Sequence, residues 1–160
     1  MFNKLILIIT LSFISIANAS FASSFKSEGL MIMNGVSAEE VKRFSIMSVR
    51  MFTDISYKSL ASSAKNIQRI STRQLSGAYI KQFSKKSVFY KKIQSTKKST
   101  KAISVGRIYE HKEKRVHTVL IPVNLESKSI SGKQITKKVA KMAIVKTRYG
   151  LRVASFTFLL

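Results

Sequence analysis

Residues 119–158, VLIPVNLESKSISGKQITKKVAKMAIVKTRYGLRVASFTF, decide the fold because they carry three strand patterns separated by two turns. Apolar residues alternate with polar ones, or run on in short β-branched stretches, as in half-buried strands. The stretch from Ser127 to Gly132 predicts a hairpin loop, and Tyr149-Gly150 predicts a tight turn. The predicted strands are Val119 to Leu125, Val139 to Val145 and Leu151 to Phe158.

The residues just before this stretch predict one more strand. Ile103, Val105 and Ile108 mark it, and Glu110 to Lys114 is interpreted as a charged turn. Pro122 indicates an edge position or a bulge, because proline has no N–H group to donate to a ladder. The sheet is therefore expected to have four antiparallel strands.

Helical patterns occupy the part of the chain before the sheet. Ser37-Ala38-Glu39-Glu40 matches a capping box, and an apolar stripe follows it at three- and four-residue steps to about Phe52. This helix is expected to cover the sheet with Phe44, Met47, Met51 and Phe52. Ser56 to Lys65 predicts a second helical piece, and Ser71-Thr72-Arg73-Gln74 a second capping box that opens a third helix. Helices followed by a meander indicate an α+β domain, with N-terminal helices packed on a curved four-stranded antiparallel sheet.

Residues 1–19, MFNKLILIITLSFISIANA, have the pattern of a secretory signal peptide. Lys4 precedes an apolar run over residues 5–16, and Ala17-Asn18-Ala19 is a small-x-small cleavage site with the cut expected between Ala19 and Ser20. Residues 20–36 are interpreted as a linker and 37–160 as the domain. The predicted location is periplasmic or secreted; an uncleaved signal would instead tether the chain to the membrane.

Composition sets the possible partners. The formal net charge is +22, and cysteine is absent, so disulfides, thiol catalysis and cysteine metal sites are excluded. A basic chain usually suggests nucleic acid, but export argues against it. Phospholipid head groups, lipopolysaccharide and acidic proteins are the remaining anionic candidates, and contact with a membrane surface stays open. Genome-wide lysine bias would explain the same composition without a function.

Seven lysines between the third predicted helix and the first predicted strand form the candidate binding segment, called here the lysine segment: Lys85, Lys86, Lys91, Lys92, Lys97, Lys98 and Lys101. Apolar residues interrupt the pairs, as in an anion-binding or partner-binding face. The alternative is a solvated loop and strand edge on which lysine prevents aggregation.

Residues with catalytic potential are few. Asp54 stands in an apolar neighbourhood and is either a functional carboxylate or, more commonly, the cap of the following helix. His111 and His117 flank the charged turn and with Glu110 or Glu113 could form a metal site, although histidines in such turns are usually ordinary polar residues. No nucleophile motif or glycine-rich phosphate loop occurs. We expect no enzymatic activity and no cofactor.

The order of motifs resembles the periplasmic part of the IcmL/DotI family of type IV secretion components, which is similar to the conjugative TraM proteins. Val41 and Phe44 lead into Met51-Phe52-Thr53-Asp54 and then Tyr57 with Leu60; further matches are His117 to Pro122, Gln134-Ile135-Thr136 before Met142 to Arg148, and Gly150 to Val153 with Phe156. The resemblance covers residues 38–160.

The resemblance implies a cone-shaped fold of the cystatin or nuclear-transport-factor-like type. It also implies a non-enzymatic assembly module that contacts other secretion-system proteins and itself in the periplasm. Core members of the family keep a membrane anchor, whereas this chain has a cleavable signal pattern, which favours an accessory component. A secreted cationic protein that binds lipopolysaccharide, phospholipid or nucleic acid is the alternative.

Overall fold

The computed structural model describes residues 35–113 and 116–159, and the predicted signal peptide and most of the predicted linker lie outside the described residues. The helices are α1 (Ala38–Thr53), α2 (Leu60–Ile70), α3 (Arg73–Gln82) and α4 (Val88–Ser95). The strands are β1 (Ile55–Ser56), β2 (Ser99–Val105), β3 (Tyr109–Glu113), β4 (Val116–Ser129), β5 (Gly132–Thr147) and β6 (Gly150–Leu159). The predicted α+β class is confirmed.

The start of α1 forms the predicted capping box. The Ser37 amide donates to Glu40 Oε2 at 2.8 Å, and the Glu40 amide donates to Ser37 Oγ at 3.1 Å. These two bonds satisfy amides that have no partner inside the helix. The face that α1 buries includes Val41, Val49 and Phe52.

The next two helices begin later than the sequence patterns predict. A two-residue strand, β1, occupies Ile55–Ser56, so α2 starts at Leu60. Thr72 caps α3 by accepting from the Leu75 amide at 3.5 Å, and the predicted box on Ser71 is therefore wrong. Ser71 instead forms a bridge to β6, which withdraws it from the helix start.

The sheet is antiparallel in the order β1-β2-β4-β5-β6, and β3 also pairs with β4. It has six strands among the described residues, against the four predicted, because the short β1 and the charged β3 both join it. Glu110 to Lys114 is predicted to form a turn, but residues 110–113 pair with β4, from Glu110 opposite Val119 to Glu113 opposite Val116. Edge strands accommodate charged side chains, so the presence of charge does not by itself indicate a turn.

Pro122 lies where its missing N–H group costs nothing. On one side of β4, β3 pairs as far as Leu120 and β2 pairs from Val123 onward, so Pro122 falls in the gap between the two ladders. Its carbonyl still accepts from the Gly106 amide at 2.7 Å. The predicted edge or bulge position is thus a break between two neighbouring strands.

The core lies between the helices and one face of the sheet. Strand β4 contributes Val119, Ile121 and Val123, which alternate with residues that face away from the helices. Phe52 of α1 stacks on Phe156 of β6, with ring centroids 4.4 Å apart and planes 6° apart. This contact joins the first helix to the last strand.

Thr53 connects the end of α1 to β2. Its hydroxyl donates to the Val49 carbonyl at 2.8 Å and accepts from the Ala102 amide at 3.2 Å. We expect Thr53→Val, which keeps the shape, to lower the free energy of unfolding by about 1–3 kcal/mol because the Ala102 amide loses its acceptor. Chemical denaturation measures this change. Thr96→Val, at the exposed end of α4, is the control and should cost much less; equal losses would contradict the role of Thr53.

Candidate interaction surface

The first four lysines of the lysine segment surround α4, a helix that the sequence patterns did not predict. Ser87 caps it by accepting from the Tyr90 amide at 2.9 Å. Ile93 is buried, and Phe89 stacks on Phe83 with centroids 5.4 Å apart. The packed side of α4 leaves its lysines on the outside: Lys91 and Lys92 on the helix, and Lys85 and Lys86 in the turn before it, all exposed.

The last three lysines of the segment diverge from this group. Lys97 turns the chain out of α4 with a left-handed backbone, φ 48°, and is exposed. Burial and the neighbouring Lys92 ammonium lower the pKa of Lys98. Lys101 lies on β2, with Nζ 3.8 Å from Glu126 Oε1. The structure therefore brings part of the segment together around α4 and assigns Lys101 to a different cluster.

That cluster has a buried carboxylate at its centre. Glu126 on β4 has 8% of its side chain exposed, and Lys133 Nζ lies 2.6 Å from its Oε2. Lys128 Nζ lies 3.3 Å from Oε1, and Lys101 completes the set, so three strands each contribute an ammonium group. The hydrogen bond from Lys133 is the main cause that lowers the pKa of Glu126, and Lys128 adds to it.

The Glu126 cluster was missed by the sequence patterns, which placed Ser127 to Gly132 in a loop. The ladder instead continues to Ser129 opposite Gly132, so Lys128 faces Lys133 across the hairpin. The period-two spacing of Glu126 and Lys128 is a signal that could have indicated a shared face. With one carboxylate and three ammonium groups, the cluster is a local excess of positive charge.

A shallow groove of about 390 Å³ runs along the outer face of α1. Its lining consists of Arg43, Ile46, Met47, Arg50 and Met51. Met47 was expected to cover the sheet with Phe44, Met51 and Phe52, but it is 40% exposed, so that assignment is wrong for Met47. The other three side chains do pack in or against the core.

Asp54 does not form a buried site. Its side chain is exposed, and the residue ends α1 as the C-cap, with its amide donating to the Arg50 carbonyl at 2.8 Å. The expectation that Asp54 caps the following helix is also wrong, because Ser59 precedes α2. The chain turns at Asp54, and its carbonyl accepts from Ser63 Oγ at 2.9 Å.

His117 is buried on β4, and its Nδ1 lies 3.9 Å from Glu110 Oε2 on β3. The side chains of His111 and Glu113 lie outside the described part of the chain. Within residues 35–113 and 116–159, no group of three histidines or acidic residues is placed to hold a metal ion. His117 and Glu110 form a cross-strand pair, and their side chains attract each other when the histidine is protonated.

Solved structures with the same fold come from bacterial secretion proteins. An IcmL-like type IV secretion system protein from Legionella pneumophila superposes with a TM-score of 0.65 and 13% identity, covering 78% of this chain and 94% of that one. A periplasmic fragment of TraM gives a TM-score of 0.61 and 11% identity, covering 76% and 96%. The chain has the fold of these proteins. The resemblance to the IcmL/DotI group is thus confirmed at the level of the fold.

The same fold occurs outside secretion systems. The intermembrane space region of the chloroplast protein ARC6 gives a TM-score of 0.52 and 6% identity, covering 78% of this chain and 97% of that one. No protein-family model and no curated protein sequence matches the chain. At these identities the likeness shows a shared architecture. In the described part of the chain, every helix is too short or too polar to span a bilayer.

Proposed function

We propose that this protein is a non-enzymatic accessory or assembly component of a type IV secretion system that acts in the periplasm through protein–protein contacts. The observation that carries the proposal is the fold, which matches nearly the whole of the IcmL-like chain and of the periplasmic TraM fragment. The predicted signal peptide supports the location.

The α4 surface supplies the contact in this proposal. Lys85, Lys86, Lys91, Lys92 and Lys97 are exposed around one short helix whose inner side is fixed by packing. A fixed group of like charges attracts an acidic protein surface and speeds its association. An acidic region of another secretion component is the partner that this surface fits.

A charge-neutralised variant tests the α4 surface in the bacterium that produces the protein. We expect replacement of these five lysines by glutamine to reduce co-purification of secretion components at least tenfold and to lower substrate translocation. The control replaces five lysines elsewhere, Lys42, Lys65, Lys137, Lys138 and Lys141, and makes the same change in net charge. Quantitative mass spectrometry of cross-linked periplasmic material measures the partners.

Three results would contradict the proposal. The first is a protein found only in the cytoplasm. The second is cross-linked material without secretion components. The third is normal translocation after deletion of the gene. Equal losses in both lysine variants would instead assign the effect to net charge. If both lysine variants bind anionic vesicles, and this binding weakens steeply as the salt concentration rises, the cationic-binder alternative would be favoured.

A further inference from the structure

Strand β6 forms one edge of the sheet, and its second half has an open backbone side. Near its start the Thr72 amide donates to the Val153 carbonyl at 2.9 Å, which covers the edge there. An extra residue at Ala154 then shifts the register, with Ala143 opposite Ser155 and Ile144 opposite Val153. Within residues 35–113 and 116–159, no backbone group bonds to Ser155–Leu159 on the side away from β5.

The open part of this edge carries no charged side chain. Residues 155–159 are Ser-Phe-Thr-Phe-Leu, in a protein with 29 lysines and arginines. Beyond Leu159, the same side of the sheet continues as the overhang of β5, which carries Lys133, Lys137 and Lys138. Proteins place lysine on open edges to prevent pairing with other chains. The lysines are present on the overhang and absent from β6.

We infer that Ser155–Leu159 pairs, antiparallel, with the same segment of a second copy of this chain and joins the two sheets into one. Two copies of this strongly basic chain repel each other, and an uncharged line lets them approach with the least repulsion. The segment is also self-complementary. With Thr157 on a two-fold axis, Phe156 of each copy lies opposite Phe158 of the other, and aromatic cross-strand pairs stabilise a sheet.

The paired edge deepens the assembly role proposed above, because it assigns the self-contact that the resemblance implies to one segment of β6. Phe156 is held on its inner side by Phe52, and Phe158 packs edge-to-face on Phe156 at 5.2 Å. The edge is therefore presented by ordered rings of the core. Backbone bonds supply the affinity in this mode of recognition, and the side chains fix the register.

Single cysteines test the pairing because the chain has none of its own. We expect Thr157→Cys, oxidised in the periplasm of cells that produce the full chain, to give a disulfide-linked species of twice the chain mass. Residues directly opposite in an antiparallel pair have Cβ atoms about 4.5–5.5 Å apart, near the reach of a disulfide. Gln134→Cys, on the overhang of β5, is the control and should remain monomeric.

A charge variant gives an independent measurement. We expect Thr157→Lys, which places two ammonium groups at the two-fold axis, to convert the purified protein from dimer to monomer in light scattering. Gln134→Lys adds the same charge to the overhang and should remain dimeric, and matching unfolding temperatures confirm that both variants fold.

A monomeric wild type, equal cross-linking of both cysteines, or an adduct of Thr157→Cys with a different protein would overturn the pairing. The two proposals fail separately. A monomeric protein that still supports translocation would contradict the pairing alone. A dimeric protein, in cells whose translocation survives deletion of the gene, would contradict the secretion role alone.

Discussion

Phe52→Ala is expected to lower the free energy of unfolding by about 3–5 kcal/mol, the usual cost of removing a buried phenylalanine. Phe52 is 2% exposed, stacks on Phe156 and meets Tyr79 edge-to-face at 5.2 Å. Its removal leaves a cavity between α1, α3 and β6. Domains of this size typically have a total stability of about 5–15 kcal/mol, so the variant should unfold at a much lower denaturant concentration.

Met47→Ala on the same helix is the control for Phe52→Ala. Met47 is 40% exposed in the α1 groove, so its truncation should change stability by no more than about 0.5 kcal/mol. Urea titration of both variants, followed by circular dichroism, measures the difference. Similar midpoints for the two variants would show that the Phe52 stack does not hold α1 on the sheet.

The parts of the fold that the sequence predicts are those with a strong local signal. The Ser37–Glu40 box and the alternation of Val119, Ile121 and Val123 each depend on residues close in sequence, and both are confirmed. Strand β3 was missed because its charged residues resemble a solvated turn and show no apolar alternation, although they pair with the residues that follow directly. Helix α4 was missed because its lysines interrupt the apolar pattern in the sequence. Its short apolar side packs only in the tertiary structure.

The candidate surface was predictable in composition and not in geometry. The sequence shows seven lysines in one segment, but the turn at Lys97 separates the α4 lysines from Lys101. The burial of Glu126 could not be predicted from the sequence, because it depends on Lys101 from β2 and Lys133 from β5. The functional assignment of the lysine segment stays a prediction, and so does the cleavage between Ala19 and Ser20.

Glu126→Gln is expected to destabilise the protein at neutral pH. The substitution removes the one carboxylate that faces three ammonium groups, at 2.6, 3.3 and 3.8 Å, and leaves those groups to repel one another. The carboxylate of Glu126 links three strands through these contacts. Its loss should therefore weaken the end of the sheet formed by the β4–β5 hairpin. Thermal unfolding at neutral pH measures the loss against the wild type.

The control for Glu126→Gln is Glu39→Gln, which makes the same change in charge. Glu39 pairs with Arg43 at 3.1 Å on the surface of α1, with both side chains more than half exposed. Exposed pairs of this kind contribute about 0–1 kcal/mol. The control should therefore unfold close to the wild type, and a comparable loss there would show that net charge, and not the cluster, sets the stability.

Acid should remove the difference between the wild type and Glu126→Gln. The folded protein holds the pKa of Glu126 below its ordinary value, chiefly through the hydrogen bond from Lys133. The carboxylate therefore contributes stability at pH values above the ordinary glutamate pKa, and this contribution is lost as the pH falls through the lowered pKa. The unfolding temperatures of the two proteins should converge in that acidic range. A gap that stays constant from neutral to acidic pH would show that Glu126 acts through packing and not through its charge.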